Sequence, residues 1–102
     1  MGMGNIMKQA QKMQAKMAVM QEQLKDELLD ASAGGGTVKV TITGDLQVKS
    51  ITIDPSAVDP DDVELLQDMT TAAVNEAIRA AQELGQRRMA EITGGMNLPG
   101  LM

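Results

Sequence analysis

A chain of 102 residues with net charge −5 and neither cysteine nor histidine has no disulfide, no thiolate nucleophile, no imidazole base and few ways to hold a transition metal. Phenylalanine, tyrosine and tryptophan are also missing, and methionine occurs ten times; this removes the aromatic platforms on which single-stranded bases stack and leaves a soft filler for the interior. The length suits one domain with a modest core, and a chain without large rigid anchors gains from burial against a second chain.

The opening "MGMGNIMKQ" lacks the apolar centre of a secretory leader, and Met7 stands where a myristoylation pattern needs Ser or Thr. No apolar run approaches the ~20 residues of a membrane span. The expectation is a soluble, cytoplasmic protein without a membrane partner.

Residues 5–29 read as a long helix of good helix formers, with Asn5 as its N-cap. Ala10, Met13, Met17, Met20 and Leu24 recur with steps of 3, 4, 3 and 4, a heptad seam too short for an autonomous coiled coil. Lys8, Lys12 and Lys16 follow one another at i, i+4 and form a shallow basic stripe beside the seam. Residues 1–21 contain no carboxylate, whereas residues 54–68 contain six and no basic residue. Glutamines 9, 11, 14 and 21 fill the places where a solvated helix interleaves acids, and they can meet phosphate without repelling it. The stripe therefore reads either as a solvated face or as a row of phosphate contacts whose contribution falls with salt.

"LLDASAGGG" ends the helix, and Leu29 to Ser32 reads as a short strand before the glycines. That Gly-rich turn precedes a strand and no GxxxxGK[ST] follows, so it is no phosphate loop. Thr37 to Thr43 alternates, with Val38, Val40 and Ile42 on one face, and Gly44-Asp45 predicts a two-residue hairpin into Leu46–Ile53. In that register Ile51 and Ile53 share the face of Val38, while Leu46 and Val48 point the other way. Either a bulge shifts the pairing or a partner covers the second face.

Asp59-Pro60-Asp61-Asp62 predicts a helix start with Asp59 as cap and Pro60 at the first helical position. The acids there miss the EF-hand pattern, so helix initiation accounts for them. The second helix runs from Pro60 to about Ile92. One apolar row is Leu66, Met69, Ala73, Ala77, Ala80 and Leu84, and another is Val74, Ile78, Ala81 and Met89; Gly85 weakens the helix locally. Arg87 and Arg88 near its end either complement the helix dipole or join a polyanion site. Residues 1–92 form one domain, and Thr93 to Met102 read as a flexible tail. Both helices outrun strands of ~24 Å, so their apolar rows overhang and favour a symmetric dimer.

"MKQAQKMQAKM" (Met7–Met17), "VKVTITG" (Val38–Gly44), "ITIDPS" (Ile51–Ser56), "NEAIRAAQE" (Asn75–Glu83) and "TGGMNLPG" (Thr93–Gly100) resemble the YbaB/EbfC family of small bacterial nucleoid-associated DNA-binding proteins. The resemblance implies an α+β fold of order α-β-β-β-α, a small antiparallel sheet flanked by two long helices. It also implies a tweezer-like homodimer whose projecting helices engage duplex DNA with little sequence preference, influencing nucleoid organisation and gene expression. By position, Lys8, Lys16, Arg79 and Arg88 match commonly basic sites of the family, Lys12 is more variable there, and Val19 stands where lysine is frequent. The expected DNA contacts are Lys8, Lys12, Lys16, Arg79, Arg87 and Arg88. The expected dimer interface is Met13, Met17, Met20, Leu24, Leu46 and Val48. No catalytic, cofactor or metal site and no small-molecule substrate are expected. The alternatives are an adaptor that grips a partner helix with the Met seam, and an enzyme, which the missing His and Cys disfavour.

Overall fold

The computed structural model describes residues 3–94, in the order α1 (Met3–Asp26), β1 (Leu28–Ala33), β2 (Val38–Thr43), β3 (Val48–Ile53), a 3-10 turn (Pro55–Ala57) and α2 (Val63–Ile92). The three strands form one antiparallel sheet in chain order. The fold is thus the α-β-β-β-α arrangement, with a small sheet between two long helices.

Each turn follows from local chemistry. Gly34, Gly35 and Gly36 all take positive φ between β1 and β2. At Gly34 a Cβ would also collide with the Met69 side chain and with Thr37 Oγ1, so conformation and close approach both demand glycine. The β2–β3 connection differs from the expected two-residue hairpin. Thr43 N–H bonds Gln47 O at 2.9 Å, enclosing three residues, and Leu46 takes φ +71 at the left-handed position. Thr43 Oγ1 donates to the Asp45 carboxylate and accepts from Gln47 N–H at 3.0 Å, which secures the loop.

The register then shifts, since Thr41 pairs with Ser50 but Ile42 pairs with Val48, leaving Lys49 as a bulge. Of the two readings of the broken alternation, the pairing follows the bulge and not the simple two-residue hairpin register. Val48 stands opposite Ile42, so it shares the face of Ile51 and Ile53 instead of opposing it.

That face carries the core. Val38, Val40 and Ile42 are fully buried, packed with Ala73, Ala77 and Ala81 of α2. Each such branched side chain contributes about 1.5–3 kcal/mol on burial, and the alanines let the helix approach closely. The buried row ends at Ala81, with Ala80 only half-buried. α2 lies over β1 and β2. β3 is the uncovered edge, where Val48 and Ile51 are each 44% exposed.

α1 docks through its last turns. Leu24 is buried against Gly44, where any Cβ would come within 2.8 Å of it. Gly44 N–H also bonds Glu27 O at 2.9 Å. The rest of α1 runs past the sheet. The molecule is 71 Å long, against about 20 Å for a six-residue strand, so the helices do overhang.

Two expected caps are corrected. Asn5 lies inside α1. α2 is capped by Asp62, which accepts Leu65 N–H at 3.2 Å, while Asp59 and Pro60 form a preceding turn with Asp59 accepting Asp61 N–H. Asp62 wins because its carboxylate reaches a free helical N–H three residues on. α2 passes unbroken through Gly85 and closes with Thr93 N–H to Met89 O and a left-handed Gly94, φ +63. Of the expected tail, Gly95–Met102 lies outside the described residues.

Candidate nucleic-acid interface

α1 has no acidic residue in its first turn, and its first carboxylate is Glu22, bound to Lys25 at 3.1 Å. Lys8, Lys12 and Lys16 are exposed and form no ion pair among the described residues. Their ammonium groups are therefore free for an external anion. Of the other carboxylates, Glu91 of α2 lines one groove with Lys16, while several are engaged by backbone. Asp54, Asp59 and Asp62 are occupied with backbone N–H groups of Ser56, Asp61 and Leu65. The hydrogen bonds from Ser56 hold the Asp54 carboxyl below its ordinary value.

The arginines divide. Arg87 is exposed with no ion pair among the described residues. Arg79 pairs with Glu76 at 2.6 Å on the exposed flank of α2, and the hydrogen bond and charge of that carboxylate raise its pKa. Arg88 pairs with Glu27, just beyond α1; the two side chains are 27% and 35% exposed, and Glu27 Oε2 is buried without a partner. Arg88 is expected as a phosphate contact from its place near the helix end and from the family resemblance, Arg79 from the resemblance alone. The fold supplies each with a carboxylate that a phosphate would have to displace. Glu27 carried no periodic signal, because its partner is 61 positions away.

The end of α2 lies beside α1. Lys16 and Arg88 share a groove with Val19, Met20, Gln23, Glu91 and Ile92. A second groove, of about 450 Å³, continues it between Ile6, Ala10, Lys12, Met13 and Lys16 of α1 and Ile92 and Thr93. The fold thus brings Lys12, Lys16 and Arg88 to one helix pair and leaves Arg79 apart from them. Of the expected interface residues, Met20 and Leu24 are buried within this single chain, Met13 and Met17 are half-buried, and Leu46 and Val48 are exposed. Among the described residues no helix is long and apolar enough to cross a membrane, and no cluster of three or more acidic, His or Cys residues could hold a metal.

A family model described as the YbaB/EbfC DNA-binding family matches residues 1–96. A "nucleoid-associated protein" of Moorella thermoacetica is 57% identical over 103 residues, taking in 98% of this chain and 99% of that one. Another, from Alkaliphilus metalliredigens, is 52% identical over 99 residues, 97% of this chain and 87% of that one. The crystal structure of an uncharacterized protein, HP0035, from Helicobacter pylori superposes with a TM-score of 0.74 at 24% identity over 85% of this chain and 91% of that one. That likeness bears on the fold alone.

Proposed function

This chain belongs to the YbaB/EbfC DNA-binding family, and from that premise we propose that it is a cytoplasmic, nucleoid-associated homodimer that binds duplex DNA through α1 with little sequence preference. The observation that carries the reading is the exposed, unpaired row of Lys8, Lys12 and Lys16 on a half-helix without carboxylates. Lysines are point charges that recognise phosphate without reading bases, so affinity is salt-dependent and tolerant of sequence. Arg87 joins them as an unpaired cation, and Arg88 joins only by leaving Glu27. Binding of this kind coats or bridges DNA and so influences nucleoid organisation and transcription.

The dimer reading is supported by β3. Its edge presents Val48 and Ile51 on the core side of the sheet beyond the reach of α2, with Leu46 beside them, 46% exposed. Apolar surface on an uncovered edge strand favours a second copy. Met13 and Met17, half-buried, remain for the same contact, whereas Met20 and Leu24 are already covered within the protomer.

The experiment is retardation of random duplexes across a salt series, comparing the unsubstituted protein with Lys8→Glu/Lys16→Glu. Loss of affinity and a shallower salt slope support the interface. Unchanged affinity and slope would remove it.

A further inference from the structure

Among the described residues, two ion pairs join positions three apart on one helix, Lys25 with Glu22 and Arg79 with Glu76. A third, Arg88 with Glu27, joins the end of α2 to the joint between α1 and β1. It differs from the other arginine pair in geometry as well as in reach. Arg79 Nη2 lies within hydrogen-bond distance of both oxygens of Glu76, at 2.7 and 2.6 Å, whereas Arg88 Nη2 donates to Oε1 of Glu27 alone. Glu27 Oε2 is buried and has no partner among the described residues. The guanidinium therefore keeps donors beyond the one that Glu27 engages.

Arg88 also lines a cleft with Lys16 and Glu91. Lys16 makes no ion pair among the described residues, so this cleft carries one free cation and one held cation. A guanidinium meets phosphate in the same way as it meets a carboxylate, and a duplex and Glu27 compete for the same group. Transfer of Arg88 to a phosphate would leave Glu27 desolvated without a cation, a penalty that the exposed lysines do not incur.

We propose that Glu27 is an intramolecular competitor for DNA: by clasping Arg88 it keeps this cation out of the phosphate contact and lowers the affinity that α1 and the end of α2 would otherwise reach together. The competition presupposes the duplex binding proposed above, with the lysine row as its main contact.

The test neutralises Glu27 in the full chain. Glu27→Gln removes the charge and keeps the shape. Glu27→Met also removes the unpartnered oxygen and so guards against a fold disturbed by a buried amide. Anisotropy of a labelled random duplex across a salt series reads affinity and slope, and circular dichroism reads the fold. Either folded variant should bind several-fold more tightly than the unsubstituted protein at low salt. The log–log slope should steepen by about 1.8 if each chain of a dimer gains one phosphate contact. The gain should vanish in Glu27→Gln/Arg88→Gln. Glu91→Gln, which removes a charge from the same cleft without freeing a cation, should leave the slope as it was. Unchanged affinity and slope in a folded Glu27 variant overturn the competition and leave the duplex-binding reading standing. So does a gain that persists without Arg88, or one that Glu91→Gln reproduces. Failure of both Glu27 variants to fold assigns the residue to the fold and overturns it too. No binding by the unsubstituted protein overturns both readings.

Discussion

Arg88 of α2 donates to the carboxylate of Glu27, the residue joining α1 to β1, across 61 positions of sequence. Gly44 N–H bonds the carbonyl of the same Glu27, so this one residue ties α1, α2 and the β2–β3 loop together. The pair is partly buried, and Glu27 Oε2 has no partner of its own. Arg88→Ala leaves a desolvated carboxylate, which costs about 1–3 kcal/mol. The expected outcome in urea unfolding is a lower midpoint with little change in the slope of DNA affinity against salt. A change confined to the salt slope, with stability untouched, would mean that Arg88 serves DNA and not the fold.

Lys12 should behave in the opposite way. It is exposed and makes no ion pair among the described residues. Lys12→Ala is expected to leave the urea midpoint within about 0.5 kcal/mol. If each chain of a dimer loses one phosphate contact, the log–log salt slope falls by about 1.8. Fluorescence anisotropy on a labelled random duplex across a salt series reads both affinity and slope.

Gly85 offers a stabilising change. It sits inside α2, and a Cβ there meets nothing within 4 Å. Gly85→Ala should raise stability by about 0.5–1 kcal/mol by restricting the unfolded chain and favouring helix. A thermal melt followed by circular dichroism would show a higher midpoint.

Asp54 gives a pH dependence of known sign. Its carboxylate accepts Ser56 N–H at 2.9 Å, which holds its pKa below the ordinary 3.8. A group so depressed contributes stability above its unfolded value and loses it as pH falls through the lower folded value. Asp54→Asn should therefore remove a small part of the acid-side loss while leaving the rest of the pH profile parallel, as read by urea midpoints at stepped pH.

The elements that local periodicity specifies were legible in the sequence. Val38, Val40 and Ile42 alternate on one buried face, and Ala73 and Ala77 lie one helical turn apart beneath them. The lysine stripe was equally legible, because spacing within one helix needs no tertiary knowledge. What escaped depended on backbone detail or distance. Leu46 occupies a left-handed site where glycine or asparagine is usual, so the three-residue loop was hidden, whereas the broken alternation of Leu46 to Ile53 did admit the bulge that turns Val48 toward the core side. The engagement of Arg88 by Glu27 was hidden because it exists only after α1 and α2 meet. The choice of Asp62 over Asp59 as cap turned on which of four clustered acidic and proline positions began the helix.

The bulge at Lys49 leads to the last expectation, which separates the fold from its assembly. Val48 lies across from the fully buried Ile42, yet it is 44% exposed because α2 stops short of β3. Ala77 is 0% exposed beneath the sheet. Val48→Asp should leave the protomer folded, since an exposed edge position tolerates a charge at small cost, while an apolar contact between two copies cannot bury that charge unpaired. Ala77→Leu should do the reverse, forcing about 1–3 kcal/mol of overpacking into the core without touching the edge. Sedimentation equilibrium at micromolar concentration, read beside urea unfolding, distinguishes the two. Val48→Asp should halve the mass and keep the unfolding slope, and Ala77→Leu should lower the midpoint first. If Val48→Asp retained full mass, β3 would not be where the copies meet, and the half-buried Met13 and Met17 of α1 would be the next residues to charge.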